Sequence, residues 1–168
     1  MNGEMIMIET HRLLIIPYTY ELVEATLKGK SELKRTLGCK VSDEWPSATY
    51  AKRIPQKKEN LKQYPETSIW SRIAIEKQSN TLIGEIGCKG GPNDKGVVEI
   101  GYGLVSKARN KGYATEMVSN LTAWLLDRSD VKKVTAECLD TNIPSARVLE
   151  KSGFHLVEHK NGMYFWES

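Results

Sequence analysis

Long hydrophobic runs are missing from this 168-residue chain, which excludes a membrane-spanning helix as its organising element. A span needs about 20 consecutive apolar residues, whereas the first apolar stretch, Leu13 to Ile16, stops at Pro17. Glu4 and Glu9 stand where a signal peptide would carry basic residues, so the expected location is the cytoplasm. Cysteine is scarce as well: Cys39, Cys88 and Cys138 are odd in number and about fifty residues apart. With no CxxC pair, neither a zinc knuckle nor a thioredoxin-type redox site is supported, and reduced core thiols are expected. His155 and His159 are four apart but fall in a strand pattern, where four residues span about 13 Å, so no metal is inferred from them. Charge of one sign is not in excess either. The 24 Lys and Arg against 21 Asp and Glu leave a net +3, too little to imply nucleic acid or an anionic membrane as an obligate partner.

What remains is an ordinary globular composition, 40% apolar and 27% charged. Its length suits a single domain over residues 1–168 that buries roughly 70% of its unfolded surface. His11 to Tyr18 reads as a strand, and Tyr20 to Leu37 as helix interrupted at Gly29. Ser47 to Gln63 reads as a further helix that Pro55 should end or kink. Lys30 to Gln63 holds nine Lys and Arg against four Asp and Glu, a local excess of +5. Ser71 to Glu76, Thr81 to Lys89 and Val97 to Val105 then form an antiparallel meander. Helix is predicted over Gly112 to Asp127, strand over Val131 to Cys138 and helix over Asn142 to Ser152. A hairpin closes the chain around Asn161-Gly162, the dipeptide of a type I′ turn. The predicted class is α/β (α+β), with about seven strands in a mixed, mostly antiparallel sheet.

Three segments can be tested as phosphate-binding loops. Gly91 to Gly96 has the spacing of a P-loop, but Val97-Val98 replace the required Lys and Ser/Thr. Gly101-Tyr102-Gly103 begins a dinucleotide fingerprint, yet Ser106 takes the third glycine's place and the run lies inside a strand. Arg109-Asn110-Lys111-Gly112-Tyr113-Ala114 sits between a strand and a helix. There, unpaired N–H groups and the positive end of the dipole suit a diphosphate, and Gly112 lets the backbone approach it closely. A solvated basic turn is the alternative reading of that hexapeptide.

This loop matches the R-x-x-G-x-A pattern of the GCN5-related N-acetyltransferase (GNAT) superfamily. About thirty residues later, Asn142 to Phe154 matches its N-x-x-S-x-x-V-L-E-K-x-G-F tail. Thr10-His11-Arg12-Leu13 and Ile83-Gly84-Glu85-Ile86-Gly87 are similar to the branch of ribosomal-protein N-terminal and spermidine-type acetyltransferases. The resemblance is weakest from about Lys30 to Tyr64. It implies a V-shaped splay between the Val97–Val105 and Val131–Cys138 strands that takes acetyl-CoA. The pantetheine would pair with backbone at Leu104 and Val105, and the pyrophosphate would rest on Arg109, Asn110, Lys111, Gly112, Tyr113, Ala114 and Thr115. Asn142 and Ser145 would hydrogen-bond the pantetheine or thioester end, unless Asn142 serves only as a helix cap.

The implied activity is acetyl transfer to a primary amine, either a protein N-terminus or a small amine, by direct attack in a ternary complex. A non-catalytic acyl-CoA-binding regulatory module is the alternative. Neither reading fixes a monomer or a homodimer. Strand alternation adds an inference of its own: Val98, Ile100, Tyr102 and Leu104 share one face, and Glu99, Gly101 and Gly103 share the other. The second face is nearly bare beside a carboxylate and suits an acceptor groove. Glu99 is therefore the candidate general base, with Glu85 on the neighbouring strand as its competitor. A backbone N–H near Val105 is expected to meet the developing oxyanion. Many superfamily members place a Tyr on the last helix to protonate the departing thiolate. Leu149 occupies that position here, which leaves Ser145 as the candidate donor.

Overall fold

Nine strands hydrogen-bond into one sheet in the computed structural model, which describes residues 6–168. Glu4, part of the acidic start noted above, lies outside the described residues. The first half of the chain runs β1 (Ile8–Glu9), β2 (Leu13–Pro17), α1 (Tyr20–Lys28), α2 (Lys30–Leu37), β3 (Lys40–Val41), α3 (Ala48–Ala51) and α4 (Ile54–Gln63). The second half runs β4 (Ser71–Glu76), β5 (Thr81–Cys88), β6 (Val97–Leu104), α5 (Tyr113–Leu126), β7 (Lys133–Leu139), α6 (Ile143–Lys151), β8 (His155–Lys160) and β9 (Met163–Glu167). Single 3-10 segments, Pro65–Trp70 and Ser106–Ala108, precede β4 and follow β6. The sheet order is β1-β2-β4-β5-β6-β7-β9-β8, with β3 pairing in parallel with β5.

Local chemistry sets most of these boundaries. Thr19 caps α1 by accepting the Leu22 N–H, and Gly29, at φ 132°, separates α1 from α2. The helix expected over Ser47 to Gln63 is two helices. Ser47 caps α3, and Pro55 lies in the first turn of α4, where a missing N–H costs nothing. The proline therefore starts a helix instead of ending one. Asn161 and Gly162 have φ of 53° and 77°, as a type I′ hairpin requires. The seven expected strands are all present. The two that periodicity did not reveal, β1 and β3, are two residues long, too short for any alternation to show.

The core lies on both faces of the sheet. Met117, Val118, Leu121 and Leu125 of α5 are buried against Val98, Ile100, Val134 and Ala136 of the strands. Leu22, Val23, Leu33 and Trp45 belong to the same apolar cluster, as do Leu13, Ile15 and Ile73 of the strands. Each such side chain contributes about 1.5–3 kcal/mol through burial. Of the three free thiols, Cys138 is buried, whereas Cys39 and Cys88 are only half-buried.

One irregularity organises the rest. β6 and β7 are parallel and pair from Val97–Lys133 only as far as Ile100–Ala136. Both strands continue past that point without pairing to each other, so the sheet is split between them from Gly101 onward.

Candidate active site

Hydrogen-bond alternation shows which backbone groups face the split. In the antiparallel ladder of β5 and β6, Val105 N–H donates to Ile83 C=O and Lys89 N–H to Glu99 C=O. Odd-numbered residues of β6 thus bond to β5, and the main-chain groups of Tyr102 and Leu104 point to the β7 side. Leu104 C=O accepts Arg109 Nε at 3.3 Å. Val105 has nothing left to offer, because its N–H is held by Ile83 and its C=O by Ala108 N–H. The oxyanion donor expected near Val105 is therefore to be sought at Tyr102 or Leu104.

The split opens into a cleft of about 800 Å³. Leu104, Arg109, Asn110, Gly112, Tyr113, Ala114, Thr115, Asn142 and Ser145 line it, all of them singled out from sequence. Val105 and Lys111 do not. The loop into α5 is left-handed at Asn110 (φ 61°) and Gly112 (φ 86°). No side chain caps α5, so the N–H groups of its first turn face the cleft without a protein acceptor. A long ligand carrying a diphosphate fits that arrangement of free amides and left-handed backbone.

A latch from the N-terminal strands holds this loop, and sequence reasoning missed its role. Arg12 Nη1 donates to Lys111 C=O at 2.8 Å, and its guanidinium lies 4.1 Å from the Tyr113 ring centroid. Arg12 Nε also pairs with Glu116 Oε1 at 2.9 Å, while Glu116 Oε2 accepts from Thr10 Oγ1 and from Arg12 N–H. Burial pushes the Glu116 carboxyl up, but these hydrogen bonds outweigh it and hold the group below the ordinary range. The signal was Thr10 and Arg12 themselves, noted only as part of a resemblance.

Asn142 and Ser145 meet on α6. Asn142 caps the helix by accepting Ser145 N–H at 3.2 Å, so the capping role holds while the residue still lines the cleft. Ser145 Oγ lies 2.7 Å from Tyr102 Oη. Burial pushes that phenol up to about 12, offset in part by Ser145. Tyr102 shares its face of β6 with the buried Val98 and Ile100, and its hydroxyl reaches α6. Leu149 is fully buried.

On the opposite face, a second cavity of about 420 Å³ lies over Gly101 and Gly103. Tyr102 and Gly103 line both cavities. The two proposed carboxylates part company here. Glu99 is ion-paired with Lys89, which also reaches Glu137 at 3.6 Å, and Glu99 does not line the cavity. Glu85 does. It faces Gly103 across the ladder, where an added Cβ would come within 3.1 Å of Glu85 Oε1. Burial pushes Glu85 up to about 6, against the opposing pull of a hydrogen bond from Trp45 Nε1 at 3.4 Å. Of the aromatics, Trp45 is buried, Tyr64 is exposed, and Trp70 packs against Trp124 beneath Arg128.

The split mixed sheet thus carries an uncapped helix N-terminus beside one cavity and a carboxylate in the lining of the other. Comparison with known proteins gives the family. The family model described as an acetyltransferase (GNAT) domain matches residues 12–155, and the chain belongs to the GNAT family of N-acetyltransferases. It is 32% identical over 161 residues to "Uncharacterized N-acetyltransferase YjdG" of Bacillus subtilis (strain 168), covering 95% of each protein. Among solved structures it is similar to a GNAT-family acetyltransferase from Bacillus anthracis, with a TM-score of 0.66 and 20% identity over 96% of this chain and 97% of that one. It is also similar to RimL, the ribosomal L7/L12 alpha-N-protein acetyltransferase solved with coenzyme A (TM-score 0.64, 18% identity, 96% and 97% covered). No helix among the described residues is long and apolar enough to cross a membrane.

Proposed function

We propose that the protein acetylates a primary amine from acetyl-CoA in a ternary complex, with Glu85 taking up the proton that the amine releases. The observation that carries this reading is the junction of the two cavities at Tyr102 and Gly103. One β-strand separates them, and its two glycines put no side chain in the acceptor's way. Acetyl-CoA, when bound, supplies the activated acetyl group. The residues that would hold it are the first-turn amides of α5, the loop from Arg109 to Gly112, the β6 edge at Leu104 where Arg109 Nε already meets the C=O, and Asn142 and Ser145.

An ammonium has no lone pair, so the acceptor must lose a proton to react. A carboxylate near pKa 6 accepts that proton more readily than an ordinary glutamate does, a role typically worth about 10²–10⁴-fold. Glu85 fits the role better than Glu99 because Glu99 is committed to Lys89 and stands outside the cavity. Tyr102 Oη and Ser145 Oγ hold a shareable proton where the cavities meet, in place of the phenol that Leu149 does not provide. Much of the rate would come from holding the two reactants in line.

Thiol release from acetyl-CoA, followed over a panel of small amines and N-terminal peptides, tests the reading. Release that depends on acceptor, with N-acetylated product found by mass spectrometry, is expected. Micromolar acetyl-CoA binding by calorimetry with no release from any amine would instead identify a non-catalytic coenzyme-binding module.

A further inference from the structure

The basic segment Lys30 to Gln63 has a destination in the fold. Arg53 and Lys57, at the start and in the middle of α4, reach the acceptor cavity from the side opposite the sheet. Lys89 joins them from the end of β5, and Glu85 is the only acidic residue in the lining. Lys89 is already balanced by Glu99 and Glu137. Arg53 and Lys57 are not balanced. Lys57 Nζ donates to the neutral Ser71 Oγ at 2.8 Å and stands 6.0 Å from the Tyr50 ring centroid. The Arg53 guanidinium makes no ion pair among the described residues. Glu85 sets one negative charge in the lining against these two cations, which leaves the pair with positive charge that an anionic ligand can balance.

We infer that the acceptor carries an anionic group, carboxylate or phosphate, beside its primary amine, and that Arg53 and Lys57 bind this anion while the amine approaches Glu85. This rests on the acetyl-transfer reading above and narrows its substrate class. Arg53 presents a planar fork of donors that matches either oxyanion, and Lys57 adds a point charge. The charges around Lys57 support the assignment: burial, and then the Arg53 charge, pull the Lys57 ammonium below the usual lysine range. Burial raises the carboxyl of Glu85, and the Arg53 charge pulls weakly against it, so the field of Arg53 reaches the floor of the cavity. The same two cations favour the neutral form of a bound amine, which is the reactive one. A polyamine would bring its other ammonium groups against Arg53 and Lys57, where like charges repel.

Matched acceptors test this with two readouts, binding by calorimetry and turnover by thiol release. The peptide amides Ser-Glu and Ser-Gln are nearly isosteric and differ in the charge of one side chain, and phosphoethanolamine against ethanolamine repeats the contrast with a phosphate. The wild-type protein is expected to bind and turn over the acidic member of at least one pair tenfold or more better. In Arg53→Gln/Lys57→Gln the preference should collapse to within about twofold, with the acetyl-CoA KM unchanged. Equal or reversed preference in the wild type, or a preference that survives the double substitution, would overturn the anion site. Preferential binding of the acidic acceptors with no thiol release would support the anion site and sink the transfer reading. Where the double variant folds poorly, Lys57→Met alone should lower the preference in the same direction.

Discussion

Glu85→Gln is expected to separate activity from stability in opposite directions. The carboxyl of Glu85 moves from 4.5 to about 6 because burial penalises its charged form. About a tenth of the population is then ionised at pH 5 and about nine-tenths at pH 7. In the wild type, kcat/KM for the acceptor should rise along a limb centred near pH 6, followed by a second limb at higher pH as the amine itself deprotonates. In Glu85→Gln the first limb should vanish and the second remain, with a loss of about 10²–10⁴-fold at pH 7. Stability runs the other way. A raised acidic pKa means the folded state binds the proton more tightly, so this contribution is fully present below pH 4.5 and is lost as pH rises through 6. The shift corresponds to about 2 kcal/mol, and the uncharged variant should recover up to that amount at pH 8 in urea titrations. A loss of activity under tenfold, a surviving limb near pH 6, or a variant no more stable than wild type at pH 8 would refute the assignment. The parallel Glu99→Gln variant should lose less than tenfold, because its carboxylate serves Lys89.

Two further outcomes test the coenzyme side. Arg12→Ala removes the ion pair to Glu116 and the donor to the Lys111 carbonyl. It should raise the acetyl-CoA KM tenfold or more with a smaller change in kcat, and lower stability by about 1–3 kcal/mol. Tyr102→Phe deletes the hydroxyl bonded to Ser145. It should lower kcat about tenfold while leaving coenzyme affinity by calorimetry within twofold, whereas a loss confined to affinity would make Tyr102 a strut and not a proton donor.

The residues whose placement was legible in the sequence share one property: their place at the cleft follows from backbone position. Gly112, Asn142 and the first turn of α5 were found because a helix start after a strand has only a few solutions, each with its own residue pattern. The bare face at Gly101 and Gly103 followed from strand alternation. Identifying the carboxylate beside it needed register, a non-local quantity. Glu99 is on the right strand and face, but Glu85 stands across the ladder from Gly103, and no periodicity within β6 reveals which residue of β5 pairs there. The Arg12 latch spans 104 residues to Glu116, so no local window contains it. The basic excess of Lys30 to Gln63 was visible as a number, but only the packing of α4 over the cavity says where two of those charges go.

The partition between the two cavities is a single extended segment of main chain, thinned by glycine. What lies to one side of it comes from α5, α6 and their connecting loops; what lies to the other comes largely from residues 45–71 and β5. On the proposed reading, substitutions in the α3–α4 region would redirect acceptor choice while leaving the cleft beside α5 and α6 intact. That division of labour would make this stretch the place to graft when a different amine is wanted.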